Sequence, residues 1–389
     1  MDFRLGEKSD AFRAEVREFL ARHLTGEMIE QAHITGTYHN QELHRALAES
    51  GYLAAGWPVE HGGQGRDPLE MVALAEEMTL AGAPTDGMTT TLMIATILRY
   101  CASQELREEV LPGVLKGEIV MCLGYSEPDS GSDVAAAKTR AVRDEAGWRV
   151  NGQKMWTSLA QVSDYVILLT RTNPGVPKHR GLTMFMVPLD SPGIEVKALE
   201  TLGGQRTNMT FYTDVLVADR YRIGEVDGGW DVMQTALVHE RSGKGRGLAD
   251  RLLADALGWA RTVDHADAAP IDDPVVRLEL ARVAVRNEVA KLLGYQAAWA
   301  AANEEMSGPI GSMGKLFASE SYVRAAADLL DLLGSDGVLQ HGDEDAPAGG
   351  WIEYAHRKAA VTTIYQGTSE IQRSIIAERG LGLPRSRGR

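Results

Sequence analysis

The hydrophobic positions in the first third of the chain repeat at helical spacing. Phe12, Val16 and Phe19 recur three and four residues apart, which indicates a helix with one buried face. Asp67-Pro68-Leu69-Glu70 predicts a helix start, because Asp can cap the helix, Pro fits its first turn and Glu follows three residues after the cap. Gly82 is expected to end that helix. Residues 1–120 are therefore predicted to form an N-terminal α-helical domain.

The pattern changes between residues 121 and 228, where short β-prone runs alternate with turn residues. Two of the runs are Tyr165-Val166-Ile167-Leu168-Leu169 and Thr183-Met184-Phe185-Met186-Val187. Turn sequences such as Asn173-Pro174-Gly175 and Ser191-Pro192-Gly193 separate them. This middle segment is predicted to be a small antiparallel β-domain.

Helical spacing returns after residue 228 and continues towards the C-terminus. Stretches from Trp230 to His265, from Pro274 to Met306 and from Met313 to Leu333 carry Ala and Leu on more than one face, and a last stretch covers Glu370 to Gly380. Helices that are apolar on several faces are usually buried in a bundle or against another subunit. Residues 229–389 are therefore predicted to form a four-helix bundle that oligomerises, and the fold class is α+β.

Composition and charge narrow the possible functions. The chain has 389 residues, 44% of them hydrophobic, which is enough for a substantial core. A net charge of −14 argues against nucleic acid or an anionic membrane as the main partner. Cys101 and Cys122 are too few for a disulfide framework and lack the spacing of a zinc site, so we expect a reducing compartment and no metal. With no signal-peptide pattern and no apolar run near the roughly 20 residues of a membrane span, a cytoplasmic location is expected.

Two polar motifs lie near the start of the β-region. Residues 124–133 combine hydroxyls, two glycines and a proline, as a loop that approaches a polar cofactor requires, but an ordinary β-turn loop has the same composition. Residues 151–158 place Trp156 beside hydroxyl side chains that could cover a planar ring and bond its heteroatoms. The alternative for this motif is a core tryptophan with a hydroxyl at its edge.

The order of four motifs resembles that of the acyl-CoA dehydrogenases over nearly the whole chain. This resemblance implies an acyl-CoA dehydrogenase-like fold, a non-covalent FAD between the β-domain and the C-terminal bundle, and an acyl-CoA thioester against the flavin. The motifs are Trp57-Pro58 with Gly62-Gly63-Gln64-Gly65, Tyr125-Ser126-Glu127-Pro128 with Gly131-Ser132-Asp133, Asn151-Gly152-Gln153-Lys154-Met155-Trp156, and Gly367-Thr368-Ser369-Glu370-Ile371-Gln372-Arg373.

The resemblance also implies the residues that bind FAD. One group would line the flavin and its chain, a second would flank the isoalloxazine ring, and a third would meet the polar part of the dinucleotide. Ser132 would also lie near CoA. The three groups are Leu123, Tyr125, Ser126, Gly131 and Ser132; Trp156, Thr157 and Ser158; and Gly367, Thr368 and Glu370.

Gln366 departs from the family pattern, in which most members carry a catalytic Glu at this position. Glutamine has a neutral amide that cannot act as a general base. A minority of the family, the isovaleryl-CoA, long-chain and bacterial steroid side-chain types, place the base on an earlier helix, and Glu240 followed by Arg241 matches that position. The resemblance thus implies Glu240 as base, Arg241 in substrate binding, and the Gln366 backbone N–H as a donor to the thioester oxygen. The alternative for Glu240 is an ordinary solvated helix glutamate.

A second departure concerns assembly. Family members usually hold the neighbouring subunit's FAD through an Arg-x-x-Phe-Gly motif, where this chain has residues 263–270 with two aspartates. In a second motif by which family members contact the neighbouring subunit, the usual Gln and Gly-Gly are replaced here by Asp331 and Gly334-Ser335. Because acidic groups repel a pyrophosphate, we hypothesise a hetero-oligomer in which a related chain supplies these contacts.

The sequence therefore predicts an FAD-dependent acyl-CoA dehydrogenase with an electron-transfer flavoprotein as acceptor. Thr91, Ala95 and Thr96 are small residues in the segment from Thr89 to Ala102, which by resemblance lines the acyl cavity, and they leave room for a wide acyl group, although small helix residues are as often packing contacts. The base on the earlier helix and the expected hetero-oligomer favour a branched or steroid side-chain thioester. Two alternatives remain open: a flavin monooxygenase or oxidase on the same fold, and a non-catalytic subunit of a heteromeric enzyme.

Overall fold

The structure is a computed structural model that describes residues 4–240, 247–262, 269–303 and 309–385, with the backbone alone for residues 236–240. Phe12, Val16 and Phe19 are buried in one core with Leu43 and Leu47, as the helical spacing predicts. Six helices precede the sheet in the described residues. They are α1 (Glu7–His23), α2 (Gly26–Thr35), α3 (Gln41–Glu49), α4 (Pro68–Leu80), α5 (Asp86–Cys101) and α6 (Gln104–Leu115).

Helix α4 begins and ends where the sequence predicts. The Asp67 carboxylate accepts hydrogen bonds from the backbone N–H groups of Leu69 and Glu70, and the Glu70 carboxylate accepts one from the N–H of Asp67. Such a cap contributes about 1 kcal/mol. Gly82 lies just beyond the helix with a φ of 74°, a conformation that favours glycine.

The middle of the chain forms one eight-stranded sheet in the order β6-β7-β3-β2-β4-β5-β8, with β1 paired to β4. Most pairs are antiparallel, but β1 and β2 each pair with β4 in parallel, so the prediction of a purely antiparallel domain is corrected to a mixed sheet. The strands are β1 (Met121–Gly124), β2 (Arg140–Asp144), β3 (Gly147–Lys154), β4 (Tyr165–Arg171), β5 (Leu182–Pro188), β6 (Ile194–Glu200), β7 (Arg206–Val217) and β8 (Arg222–Ile223).

Strands β4 and β5 are covered on both faces. Ile167 and Met184 belong to the buried cluster that includes Leu98 of α5, whereas Val166 and Phe185 belong to a second cluster on the opposite face. Strands buried on both faces carry continuous apolar runs instead of alternation, which explains their sequences.

Four C-terminal helices, α8, α9, α10 and α11, share one buried core and form a bundle as predicted, but its fourth helix is α11 and not the predicted stretch from Glu370 to Gly380. Ala256, Val283, Ala325 and Ile352 supply one fully buried residue from each helix. Among the residues described, no helix is long and apolar enough to cross a membrane. The helices after the sheet are α7 (Gly229–Glu240), α8 (Leu248–Ala260), α9 (Pro274–Ala302), α10 (Ile310–Leu332), α11 (Trp351–Ala359) and α12 (Ser369–Ile375).

The predicted helical stretch from Trp230 to His265 is divided. Helix α7 ends at Glu240 and α8 ends at Ala260, while residues 241–246 and 263–268 lie outside the described residues. Gly247, which directly precedes α8, has a φ of 88° and so interrupts the helical backbone at that position.

Candidate active site

A buried ion pair joins the two polar motifs of the β-domain. Lys154 ends β3 with a fully buried side chain, and its Nζ donates to Glu127 Oε1 at 2.8 Å and to the carbonyl of Tyr125 at 3.1 Å. The Glu127 carboxylate also accepts the backbone N–H groups of Lys138 at 2.7 Å and Thr139 at 2.8 Å. The loop from 125 to 139 is therefore fastened at both ends to the strand that leads into Trp156.

The ionisation of this pair follows from its surroundings. Burial alone would raise the pKa of Glu127, but the charge and hydrogen bond of Lys154 and two backbone N–H groups bring that pKa below its usual value. Burial lowers the pKa of Lys154 to about 8, against the opposing effect of Glu127. In the sequence both residues are noticeable only as parts of motifs, but a basic residue in one motif and an acidic residue in the preceding motif are the signal that indicates the pairing.

The loop after β1 leaves room for a ligand. Ser126 is half-buried and its carbonyl accepts the N–H of Met155 at 2.9 Å, whereas Gly131 and Ser132 are exposed. A Cβ added at Gly131 would meet no atom within 4 Å, so packing inside the chain does not require glycine there. The half-buried Leu123 and Tyr125 lie at the other end of the same segment. The structure thus gathers the first predicted group on one strand and its loop.

Trp156 is exposed, which excludes the interpretation of a core tryptophan. Its side chain is 54% accessible and its backbone has a φ of 63°, while Leu159 has a φ of 68°. Non-glycine residues held in this left-handed region cost about 1–3 kcal/mol each and persist where the surroundings fix them. A large aromatic ring presented to solvent on a constrained backbone is available to cover a planar ligand.

The residues around Trp156 are fixed by Asn208, which is fully buried on β7. Asn208 and Thr157 share two hydrogen bonds, both 2.9 Å long. The backbone carbonyl of Asn208 accepts the N–H of Thr157, and the side-chain Nδ2 of Asn208 donates to the backbone carbonyl of Thr157. The same Nδ2 donates to Gln161 at 2.6 Å, and Gln161 Nε2 donates to Thr37 Oγ1 at 2.9 Å. Ser158 is exposed and donates to Thr207 at 3.2 Å. The second predicted group is thus held to the sheet and to the N-terminal helices.

The third group lies on the turn before α12. Gln366 has a φ of 57° and Gly367 a φ of 87°. The Gln366 carbonyl accepts Gln372 Nε2 at 2.8 Å and the Gly367 carbonyl accepts Lys315 Nζ at 2.9 Å, but the Gln366 N–H meets no acceptor among the described residues. Thr368 caps α12 through the N–H of Ile371. These bonds fix the turn, and the Gln366 N–H is among its backbone donors that have no acceptor in the described part of the chain.

Glu370 is exposed at the start of α12, where backbone N–H bonding, the Thr368 hydroxyl and the nearby Arg373 lower the pKa of its carboxyl. Helix α11 links this part of the chain to the β-domain, because Arg357 Nη1 donates to the carbonyl of Leu202 at 2.9 Å. The third group thus lies on the turn that follows α11, and α11 itself is bonded to the segment between β6 and β7.

Two predicted substrate residues lie where the structure gives no side chain. Glu240 is the last residue of α7, and its side chain and the whole of Arg241 fall outside the described residues. Helix α7 is positioned by Val232 and Met233, which are buried in the cluster shared with α5 and the sheet. Glu240 as base and Arg241 as substrate ligand stay predictions.

Thr91 and Ala95 do not widen a cavity. Both are fully buried, and Thr91 Oγ1 accepts the backbone N–H of Met121 at 2.9 Å. Thr96 is half-buried and bonds the carbonyl of Leu92 within its own helix. The prediction that these small residues leave room for a wide acyl group is therefore wrong for Thr91 and Ala95, which pack α5 against the sheet.

These positions fit a flavin dinucleotide. An exposed indole ring, exposed hydroxyls at Ser132 and Ser158, and open space above Gly131 are features that the chain's own packing leaves unused. A planar polar ring system with a phosphate chain requires such a flat apolar surface beside small hydroxyl residues.

Three family models match the chain in order: the acyl-CoA dehydrogenase N-terminal domain over residues 6–118, the middle domain over 122–215 and the C-terminal domain over 227–381. Together they cover most of the sequence and agree with the helical, sheet and helical parts of the fold. The chain therefore belongs to the acyl-CoA dehydrogenase family, a family of flavoprotein oxidoreductases.

Particular relatives refine this placement. The acyl-CoA dehydrogenase FadE26 of Mycobacterium tuberculosis is 36% identical, over 97% of this chain and 98% of that protein. The Tcur3481-Tcur3483 steroid ACAD superposes with a TM-score of 0.91 at 34% identity, covering 99% of this chain and 100% of that chain. The ChsE4-ChsE5 complex of Mycobacterium tuberculosis gives a TM-score of 0.89 at 34% identity, with the same coverage.

Proposed function

We propose that this chain catalyses FAD-dependent α,β-dehydrogenation of an acyl-CoA thioester to the trans-2-enoyl-CoA. The observation that carries this proposal is the backbone N–H of Gln366, which is rigidly presented yet has no acceptor among the described residues. A donor of this kind stabilises the negative charge that develops on a thioester oxygen when the α-proton leaves. The role needs no particular side chain, so Gln366 can retain it.

Other residues of the chain are proposed to bind the cofactor and to remove the α-proton. Trp156, Thr157 and Ser158 would hold the flavin ring, and the loop with Ser126 and Ser132 would hold its chain. FAD, when bound, supplies the acceptor for the β-hydride. The amide of Gln366 cannot take the α-proton, so we assign that step to Glu240, whose pKa a buried position would raise towards working pH.

A branched or steroid side-chain thioester is the proposed substrate class. Its support is the resemblance to a steroid ACAD over nearly the entire chain. We further propose a cytoplasmic enzyme that passes its electrons to an electron-transfer flavoprotein.

We also propose that the enzyme is a hetero-oligomer. Both structural relatives named above are two-component assemblies by name. Asp331, Gly334 and Ser335 are exposed at the end of α10, so an acidic group stands where a neighbour's dinucleotide would need a neutral or basic one. An exposed apolar stripe on α9 offers a contact surface. It consists of Val275, Leu278, Val285 and Val289.

The test is co-expression with a homologous partner chain, measurement of FAD per subunit, and anaerobic titration with short, branched, long and steroid acyl-CoAs. Bleaching of the flavin by one of these classes supports the proposal. Oxygen consumption coupled to turnover would instead indicate an oxidase or monooxygenase, and a homotetramer with one FAD per chain would exclude the hetero-oligomer.

One observation favours a second candidate. Because Gln366 removes the usual carboxylate, the chain could be a non-catalytic subunit of a heteromeric dehydrogenase. A purified complex in which this chain carries no FAD would support that alternative.

A further inference from the structure

A lysine and two tyrosines form a cluster at α11, the helix that precedes the Gln366 turn. Lys358 and Tyr354 come from α11, Tyr38 from the segment between α2 and α3, and Tyr365 directly precedes Gln366. Asp86, the first residue of α5, adjoins the cluster because its N–H donates to the Tyr38 carbonyl at 2.9 Å. We call Tyr38, Tyr354 and Lys358 the α11 cluster.

The ammonium group of Lys358 lacks a polar partner. Its Nζ lies 4.6 Å from the ring centroid of Tyr38 and 5.6 Å from that of Tyr354, and it forms no hydrogen bond or ion pair among the described residues. Burial lowers the pKa of Lys358, and the charge of Asp86 opposes this only in part. Lys358 is half-buried as a residue, but its Nζ is not among the buried atoms that lack a partner, so its three donors remain accessible to a ligand.

The tyrosines supply flat walls and one further donor. The hydroxyls of Tyr38 and Tyr354 bond to each other, so one O–H serves the pair and the other stays available. Tyr354 is nearly buried, whereas the ring of Tyr365 is 40% exposed. Rings around a cationic head form a pocket that suits an apolar group bearing an oxygen.

The position of the α11 cluster relates it to the acyl group. Tyr365 is the neighbour in sequence of Gln366, the residue proposed to bind the thioester oxygen. Helix α11 continues through a 3-10 turn at Ala360–Thr363 towards the Gln366 turn, and the N–H of Asp86, at the start of α5, bonds the Tyr38 carbonyl at 2.9 Å. A group that extends from the thioester towards the first turn of α5 would therefore meet the α11 cluster.

We propose that Lys358, together with the Tyr38–Tyr354 hydroxyl pair, binds a hydrogen-bond-accepting oxygen, as a carboxylate or a ketone, that the acyl group carries away from its thioester end. This inference rests on the proposed function, because it specifies the substrate of that same site. It explains why a lysine occupies a position where its own chain provides rings but no acceptor.

The test compares three acyl-CoAs of equal chain length with the FAD-loaded protein in its native assembly: an alkyl, an ω-oxo and an ω-carboxy thioester. Wild type is expected to have a higher kcat/KM for an oxygenated substrate than for the alkyl one. Lys358→Met should lower kcat/KM for the preferred oxygenated substrate about 10- to 100-fold, the range of a charge-assisted hydrogen bond, and change the alkyl value less than about threefold. Lys358→Arg should recover part of the loss.

Lys197→Met is the matched control, because Lys197 also lies over an aromatic ring, 5.4 Å from Phe211, on an exposed strand. It should leave all three substrates unchanged. Preference for the ω-carboxy over the ω-oxo substrate would identify a carboxylate as the ligand, and the reverse a ketone.

An equal loss for all three substrates in Lys358→Met would overturn the inference and make Lys358 a packing residue. Wild-type preference for the alkyl substrate would overturn it as well. If the proposed function itself is wrong, no acyl-CoA will bleach the flavin of the FAD-loaded wild type. That result differs from the two above, and it would exclude the inference as well.

Discussion

Lys154 and Glu127 lie 2.8 Å apart with side chains only 0% and 6% exposed, and this contact holds the loop that would carry the flavin. Removing one partner leaves an uncompensated buried charge, which costs about 3–5 kcal/mol. We expect Lys154→Met to lower the free energy of unfolding by about that amount and to weaken FAD retention. Chemical denaturation and the FAD content after gel filtration measure the two effects.

The exposed pair between Lys138 and Asp129 is the control, since these side chains are 73% and 74% exposed. Lys138→Met should change stability by less than about 1 kcal/mol. The double variant Lys154→Met with Glu127→Leu should be less destabilised than the sum of its single changes. Additive losses would show that the two charges do not act as a pair.

Glu240→Gln should retain bound FAD and abolish flavin bleaching by substrate, because a neutral amide cannot accept the α-proton. Anaerobic titration followed by visible absorbance measures this. Glu320→Gln changes a glutamate on α10 whose partner is the surface residue Arg373, and it should bleach like wild type. Substantial turnover by Glu240→Gln would place the base elsewhere.

Gln366 should tolerate glycine better than valine. Its φ of 57° suits glycine, whereas a β-branched residue is strained there. Gln366→Gly should keep kcat within about threefold of wild type. Gln366→Val should lower kcat about tenfold or more, because the strained backbone displaces the N–H donor. Steady-state kinetics checks both variants, and an inactive glycine variant would assign the role to the side chain instead.

His44 should make the protein sensitive to acid. It is 2% exposed, its Nε2 has no partner, and burial, helped by the neighbouring His39, lowers its pKa from 6.5 to about 4. Between these pH values the unfolded state binds more protons than the folded state, so stability falls as pH falls. Because of His44, the free energy of unfolding should be about 2 kcal/mol lower at pH 5 than at pH 7.

Urea unfolding at pH 7 and pH 5 tests this expectation. His44→Leu should remove most of that pH-dependent loss, whereas His356→Gln, at an exposed position on α11, should preserve it. The same pH dependence in His44→Leu and wild type would rule out His44 as the titrating group.

The sequence predicted those parts of the fold that depend on interactions between residues close together in the chain. The cap at Asp67 and the buried face with Phe12 need only neighbouring residues, and both are confirmed. The parallel pairing of β1 with β4 joins residues about 44 positions apart, such as Met121 and Tyr165, and no local pattern encodes it. The same limit explains the error at Thr91, whose small size reflects a hydrogen bond to Met121.

The candidate site likewise combines residues that sequence motifs identify with residues that only the folded structure brings into it. The motifs singled out Trp156 and Gln366, both of which have left-handed backbone in the structure, but they did not reveal Asn208, which fixes Thr157 from a distant strand. Lys358 was likewise missed, because a lysine in a helix normally indicates a solvated face and only the tertiary contacts bring the tyrosine rings around it.

The bond between Thr91 and Met121 has a consequence for changing the substrate range of this enzyme. Enlarging or removing the side chain in the middle of α5 would disturb β1, and β1 leads directly into the loop that would carry the cofactor. New substrate preferences can therefore be selected more readily at the first turn of α5 and along α11 than in the middle of α5. Directed evolution libraries should concentrate there.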